Sequence, residues 1–323
     1  MSGDETWDPF RLPPTLLKEG RYHLHDSIGA GAVAQVWSAT DHHKGITCAV
    51  KLMEVPVGSR EEVAMRFLAE AQVMGRLRHP NIPHVYDIGR DEGFFWFVME
   101  LAPGGTLSER LAAVGQLDPL ESLRITFELL QALEAVHRAG LVHRDVKPDN
   151  VLFDADGAAM LADFGIARHA QGRAHKLTRP GSLLGTRGFR APEQEQDSTD
   201  VDRPADLYGV AATLYTMVVG EPPKKLWFAC REESLVGTIP GLVYPVIAGG
   251  AAEHREERFE SARAMAEGVA QVYDLMARRA DSPLRGDEWM GRFDRLLEEV
   301  EPSPPQQQGL GRWLPGWLTG LFG

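Results

Sequence analysis

Cysteine is scarce in this chain. Cys48 and Cys230 are the two among 323 residues, too few for a disulfide framework and in keeping with plain buried thiols in a reducing cytoplasm. A basic surplus is missing too. Lys and Arg number 34 against 46 Asp and Glu, a formal net charge of −12, which argues against a nucleic-acid binder that must displace counterions with a basic face. The longest apolar run without a charge, Leu207 to Val219, is 13 residues. A spanning helix needs about 20, so this run reads as a buried core helix and no transmembrane span is expected. The opening MSGDETWDPF has neither the basic start and apolar run of a signal peptide nor the glycine at position two that myristoylation requires. A cytoplasmic protein is the expectation.

What is present is ordinary globular text, 43% apolar and 25% charged, enough for one large domain or two lobes at roughly 150 residues per domain. Residues 1–20, with Pro13 and Pro14 together and no clear periodicity, read as an extension. From Arg21 to about Val98 the pattern is of strands with one helix inserted. Ile46–Met53 and Phe94–Met99 are apolar strand text, and His42–Gly45 is a turn. Glu61–Arg78, with Val63, Phe67, Met74 and Leu77 near helical period, ends before Pro80. Pro103-Gly104-Gly105 is a hard break. Beyond it Leu120–Ala139 carries Leu123, Phe127, Leu130, Leu133 and Val136 in one amphipathic stripe. An Asp-rich strand-and-loop region follows from 141 to 196, then helices over Ala205–Val219 and Ser261–Ala280. A charged helix within 281–301 leads to the stiff linker 302–309 and an aromatic tail, 310–323. There is no internal repeat. The layout is a small β-rich lobe, 21–101, joined at a Gly-Pro hinge to a larger helical lobe, 102–280.

Ile28–Val36 reads IGAGAVAQV, where Gly29 and Gly31 would let backbone N–H groups approach a phosphate. By itself that is equally a Gly-Ala hairpin turn, and it lacks the helix that a dinucleotide fingerprint or P-loop needs directly afterwards. Lys51, ending Ala49-Val50-Lys51, would by itself be a strand lysine reaching for solvent. Glu70, 19 residues on along the only helix of this lobe, supplies a partner that would aim Lys51 at phosphate oxygens. The deciding stretch is VHRDVKPDNVL, Val142–Leu152, followed by LADFG, Leu161–Gly165. Asp145 suits a hydroxyl proton, Lys147 a transferring phosphoryl group, and Asn150 and Asp163 offer hard oxygen ligands for Mg²⁺. Apolar residues flank both acidic clusters, as they would at the mouths of packed strands.

Over about residues 21–275 this set of motifs resembles the eukaryotic-like serine/threonine protein kinases of bacterial type. The resemblance implies an α+β, two-lobed kinase fold: an antiparallel-sheet lobe with one helix and a mainly helical lobe. It implies that Ile28 is an ATP-binding residue and that Gly29, Ala30, Gly31, Ala32, Val33, Ala34, Gln35 and Val36 form the loop covering the ATP phosphates, with Lys51 paired to Glu70. Val36, Ala49 and Leu152 would sandwich adenine, Met99 would be the gatekeeper, and Glu100, Leu101 and Ala102 the hinge. Asp145 would be the catalytic base, Lys147 would hold the phosphoryl group, and Asn150 and Asp163 would hold Mg²⁺ or Mn²⁺. Ala191-Pro192-Glu193 matches the close of an activation segment, 30 residues after Asp163. Glu193 would pair with Arg258, and Asp206 would tie its helix to the loop containing His143 and Arg144. Lys147, two residues after Asp145, and Gly185-Thr186 point to the serine/threonine branch. Arg144 suggests control by phosphorylation at Thr178 or Ser182.

The match has departures: Ala34 for a third glycine, Arg187 for proline, Phe189 for tyrosine, Ala211 for glycine, and a poor match over Lys224–His254. None removes a catalytic group. The alternatives are a pseudokinase-like scaffold, which usually shows a lost lysine or metal aspartate, and a small-molecule phosphotransferase, which lacks the activation segment. Protein substrates are the implied partners. The tail LGRWLPGWLTGLFG gathers Trp313, Leu314, Trp317, Leu318, Leu321 and Phe322 on one half of a helical wheel. At 1.5 Å per residue it reaches roughly 21 Å, short of a bilayer core. It suits a membrane interface, or equally the chain's own surface or a partner.

Overall fold

The computed structural model describes residues 13–30, 34–54, 67–68, 71–72, 74–91, 93–164, 188–196, 202–230, 237–279, 290–291 and 293–296. These residues divide into two compact units. One holds those up to Arg78 together with His84–Leu101, and the other holds His79–Pro83 together with those from Ala102 on.

The first unit is an antiparallel sheet of six strands: β1 (Leu16–Leu17), β2 (Tyr22–Ala30), β3 (Gln35–Asp41), β4 (Ile46–Glu54), β5 (Val85–Asp91) and β6 (Phe94–Met99), in the order β1-β2-β3-β4-β6-β5. Side chains alternate across a strand. Cys48, Val50 and Leu52 of β4 therefore share a face with Phe94, Trp96 and Val98 of β6, and these close a core with Leu17, Tyr22, Leu24 and Ala39. On the other face Phe97 meets Phe67, in the helical residues of 67–76, at 5.0 Å between ring centroids. All six residues of β6 are buried, as a strand covered on both faces requires.

The sheet starts earlier than the sequence suggests. Instead of belonging to an extension through residue 20, Leu17 is fully buried and pairs with Tyr22. The chain reverses at Lys18, Glu19 and Gly20, all at positive φ. Two non-glycine residues hold that conformation because Lys18 is anchored at both ends, its N–H to Asp91 Oδ2 at 2.6 Å and its Nζ to Asp87 Oδ2 at 2.5 Å. Arg21 completes the cluster, bidentate to Asp41 at 3.0 and 2.8 Å and also reaching Asp87 at 3.2 Å. The guanidinium holds the Asp41 carboxyl down at about 2. Burial pushes the Cys48 thiol up to about 11, the state of an inert packing residue.

The second unit is mainly helical: α1 (Leu107–Val114), α2 (Pro119–Arg138), α3 (Pro192–Gln196), α4 (Arg203–Val219), α5 (Leu226–Ala229), α6 (Tyr244–Gly250) and α7 (Ala262–Arg279), with the hairpin β7 (Val151–Phe153) and β8 (Ala159–Leu161). Helix starts follow local chemistry. Thr106 and Glu109 cap α1 reciprocally, and Asp118 caps α2 ahead of Pro119. The five stripe residues of α2 are all buried. From Ala205 to Val218 every residue of α4 is buried, which makes it the central rod of this unit. Phe293, in the helical residues near the end of the described chain, is 1% exposed and meets Phe127 of α2 at 5.7 Å.

His79–Pro83, expected within the sheet lobe, belongs with the helices. Asn81 is the reason: its amide donates to Ala159 O at 2.7 Å, and its own carbonyl accepts from Leu161 N at 2.8 Å. These bonds extend the β7–β8 hairpin.

Candidate active site

In the sheet unit, antiparallel register sets Val36 opposite Lys51 and Lys51 opposite Phe97, while Ala49 pairs with Met99. Directly opposed residues share a face, so Val36, Ala49, Lys51, Phe97 and Met99 line one side of the sheet. Lys51 is 9% exposed, its ammonium 5.6 Å from the centre of the Phe97 ring. Gly29 and Ala30 pair with Val36 and Gln35 at the end of the β2–β3 ribbon, with Ile28 half exposed beside them. Glu100 is pinned to the residue just ahead of β5: its N–H donates to His84 O at 2.8 Å, and its carboxylate accepts from His84 N at 3.3 Å. Gly31, Ala32, Val33 and Glu70 lie outside the described residues, and so do Thr178, Ser182 and Thr186.

In the helical unit the loop from His143 to Asn150 is held from beneath by Asp206, in the first turn of α4. Its carboxylate accepts from His143 N at 2.9 Å and from Arg144 N at 2.6 Å, and His137 Nε2 donates to it at 2.8 Å. The three together stabilise the left-handed φ of +69° at Arg144, a conformation that costs a non-glycine residue about 1–3 kcal/mol. His143 is fully buried and packs on Phe164 at 4.8 Å. Its Nε2 faces Ala162 O at 3.0 Å and its Nδ1 faces Asp145 N at 3.3 Å. A carbonyl only accepts and an amide only donates, so the ring is the neutral Nε2–H tautomer. Burial pulls its pKa down in the same direction.

Asp145 itself is gripped at Oδ2. Lys147 Nζ lies 3.2 Å away and Asn150 Nδ2 donates at 2.9 Å, with a second bond from Nδ2 to Asp145 O at 2.7 Å. Asn150 O accepts from Ala162 N at 2.9 Å, tying this loop to the segment that carries Asp163. Asp163, two residues after β8, stands at φ +57°, a second non-glycine residue of this unit in the left-handed region. Both side-chain bonds from Asn150 use its nitrogen, and its amide oxygen and the Asp163 carboxylate are oxygen donors of the type a hard cation takes. Among the described residues no group of three or more His, Cys, Asp or Glu forms a cage. Leu152, half-buried on β7, bridges to Thr106.

The segment closing on α3 is fastened from elsewhere. Arg258, its side chain wholly buried, donates to both Glu193 oxygens at 2.6 and 2.8 Å, and to the carbonyls of Ala252, Pro204 and Glu253. Three contributors were missed by reading motifs. Gln194, next to Glu193, bonds Ala191 N and Arg144 O. His137 reaches Asp206 from α2. Gly209 lets α4 approach so closely that a Cβ there would lie 2.9 Å from Val146 Cβ and O. An amide directly after Glu193 was the available signal for the first; the other two contacts span more than sixty residues and leave no local mark.

A sheet with a buried lysine on its third long strand, and a helical unit presenting an Asp-x-Lys-x-x-Asn loop beside an Asp-Phe pair, define the protein kinase class. Residues 22–232 match the model of the protein kinase domain. The chain is 33% identical over 270 residues to the Probable serine/threonine-protein kinase PknB of Bifidobacterium longum, covering 77% of this chain and 39% of that protein. It is 32% identical over 319 residues to the serine/threonine-protein kinase PknH of Mycobacterium bovis, covering 92% and 53%. A point mutant of the Mycobacterium tuberculosis PknI kinase domain, solved by crystallography, superposes with a TM-score of 0.63 at 27% identity, over 81% of this chain and 99% of that one. The chain belongs to the bacterial-type serine/threonine protein kinase family. It spans about half or less of the length of these two curated relatives. Neither the small-molecule phosphotransferase nor the scaffold reading is favoured by these likenesses. Among the described residues no helix is long and apolar enough to cross a membrane.

Proposed function

We propose that this chain transfers the γ-phosphate of ATP to serine and threonine hydroxyls of proteins, and that it phosphorylates its own activation segment at Thr178 or Ser182. The observation that carries the reading is the grip on Asp145 Oδ2 by Lys147 and Asn150. A carboxylate so held has a fixed direction in which to accept a hydroxyl hydrogen. In this mechanism the acceptor oxygen bonds to the γ-phosphorus, the bond to the β–γ bridging oxygen breaks, and the hydroxyl proton passes to Asp145. Lys147 stays on the phosphoryl oxygens as negative charge redistributes, and Lys51 holds the α- and β-phosphates. Asn150 and Asp163 would hold Mg²⁺ or Mn²⁺, which when bound neutralises charge on the phosphates. Within the sheet unit, Val36 and Ala49 on one face offer apolar surface of the kind adenine takes.

Protein substrates are the partners in this reading and the reducing cytoplasm its setting. The tail 310–323 lies outside the described residues.

The test is transfer from γ-labelled ATP with Mg²⁺, with sites mapped by mass spectrometry, for the wild type, Asp145→Asn and Thr178→Ala/Ser182→Ala. Label should appear in the wild type, vanish in Asp145→Asn while nucleotide still binds, and leave the segment in the double variant. Near-full transfer by Asp145→Asn would overturn the assignment of the base. An unchanged rate in the double variant would overturn self-activation.

A further inference from the structure

The backbone of Arg144 is held from two sides. Its N–H goes to Asp206 Oδ1 at 2.6 Å, and its carbonyl accepts from Gln194 Nε2 at 3.1 Å. That carbonyl belongs to the same rigid peptide plane as the N–H of Asp145, which donates to His143 Nδ1 at 3.3 Å. The plane is the link between a residue at φ +69° and the proposed base. It is the kind of strained joint whose orientation depends on its surroundings.

Gln194 suits this place for a chemical reason. Its Oε1 accepts from Ala191 N at 2.9 Å while its Nε2 donates to Arg144 O. One neighbour can only donate and the other can only accept, so the amide has one possible orientation. A carboxylate would meet the Arg144 carbonyl with a lone pair, and an apolar side chain would serve neither group. Ala191 is fully buried and two residues from Glu193, whose carboxylate Arg258 fastens. The amide therefore joins the fastened end of the activation segment to the peptide on which Asp145 begins.

We propose that Gln194 is a positioning residue for transfer: it sets the Arg144–Asp145 peptide plane, and so the direction of the Asp145 carboxylate. The inference rests on the reading of Asp145 as the base. Gln194 touches neither nucleotide nor acceptor, so its effect falls on kcat while the KM for ATP stays put.

The experiment uses the full chain, with dephosphorylated casein as acceptor and γ-labelled ATP with Mg²⁺, and compares the wild type, Gln194→Met, Gln194→Glu and Asp145→Asn. Gln194→Met keeps length and packing but loses both bonds. Its kcat should drop about tenfold, the effect of one hydrogen bond to a strained site, with the KM for ATP within twofold. Gln194→Glu should be the poorer enzyme at pH 8 and should gain on the wild type as the pH is lowered toward 5, because a protonated carboxyl can again donate to the Arg144 carbonyl. A kcat for Gln194→Met within twofold of the wild type would overturn the inference. So would a Gln194→Glu to wild-type ratio that does not change with pH, or loss of folding in both variants, which would make the contact generally structural. An active Asp145→Asn would instead overturn the reading beneath it, and the two failures are thereby separable.

Discussion

Removing Arg258 tests how the end of the activation segment is held. Its guanidinium has no solvent exposure and makes five hydrogen bonds, two to Glu193 and three to backbone carbonyls, with the cation 5.3 Å from the Tyr208 ring centre. Arg258→Ala strands a carboxylate that is 22% exposed and leaves three carbonyls without their charged donor. Breaking a buried pair by deleting one partner costs about 3–5 kcal/mol. The partial exposure of Glu193 lets water recover some of this, while the carbonyls of Ala252, Pro204 and Glu253 each lose a bond, so about 4 kcal/mol is expected. For a domain of this size each kcal/mol moves Tm by about 2–4 °C, giving a fall of about 8–16 °C. Glu193→Gln keeps the shape and one acceptor oxygen, and should cost about half as much. Thermal unfolding by circular dichroism measures both, and limited proteolysis should cut Arg258→Ala sooner near α3. A fall of less than about 2 °C would mean that the pair contributes nothing beyond its desolvation, and would refute the accounting.

Two further outcomes follow from contacts in each unit. Asp41 titrates at about 2 in the folded chain, below its unfolded value near 4, so its stabilisation is complete above about pH 4 and is lost as the pH falls toward 2. Asp41→Asn should lower the urea midpoint at pH 7, and the gap to the wild type should close progressively below about pH 4; a gap independent of pH would disprove the Arg21–Asp41 origin of the shift. Gly209→Ala forces a Cβ to within 2.9 Å of Val146, the residue between Asp145 and Lys147. Overpacking of that kind costs about 1–3 kcal/mol. Steady-state kinetics should show kcat falling at least tenfold with a smaller change in the KM for ATP, and wild-type kinetics would show that the loop tolerates the shift.

Local chemistry sufficed for much of this protein. The stripe from Leu123 to Val136, the capping residues Asp118 and Thr106, and the apolar block of α4 announce helices because their signals repeat at helical spacing or sit at fixed offsets. The loop from His143 to Asn150 and the Asp163-Phe164 pair were legible for a similar reason. The chemistry proposed for them rests on residues a few positions apart, and the expected pairing of Glu193 with Arg258 came with the motif that closes the segment. The beginning of the sheet was misread because Leu16 and Leu17 are too short a run to show a period, and their pairing depends on Asp87 and Asp91 anchoring Lys18 some seventy residues away. The transfer of His79–Pro83 to the helical unit has the same origin, since Asn81 finds its partners at Ala159 and Leu161.

The sequence by itself determined which groups are available for chemistry: a strand lysine, a loop aspartate with lysine and asparagine, and a second aspartate. Only the tertiary structure decided how they are aimed. Direction depends on peptide planes and buried carboxylates held by residues distant in the chain, among them Asp206 beneath Arg144, Gln194 on its carbonyl and Gly209 giving way to Val146. A hydrogen bond is selective in angle and distance but indifferent to sequence separation, so these supports are written in space and leave no pattern along the chain.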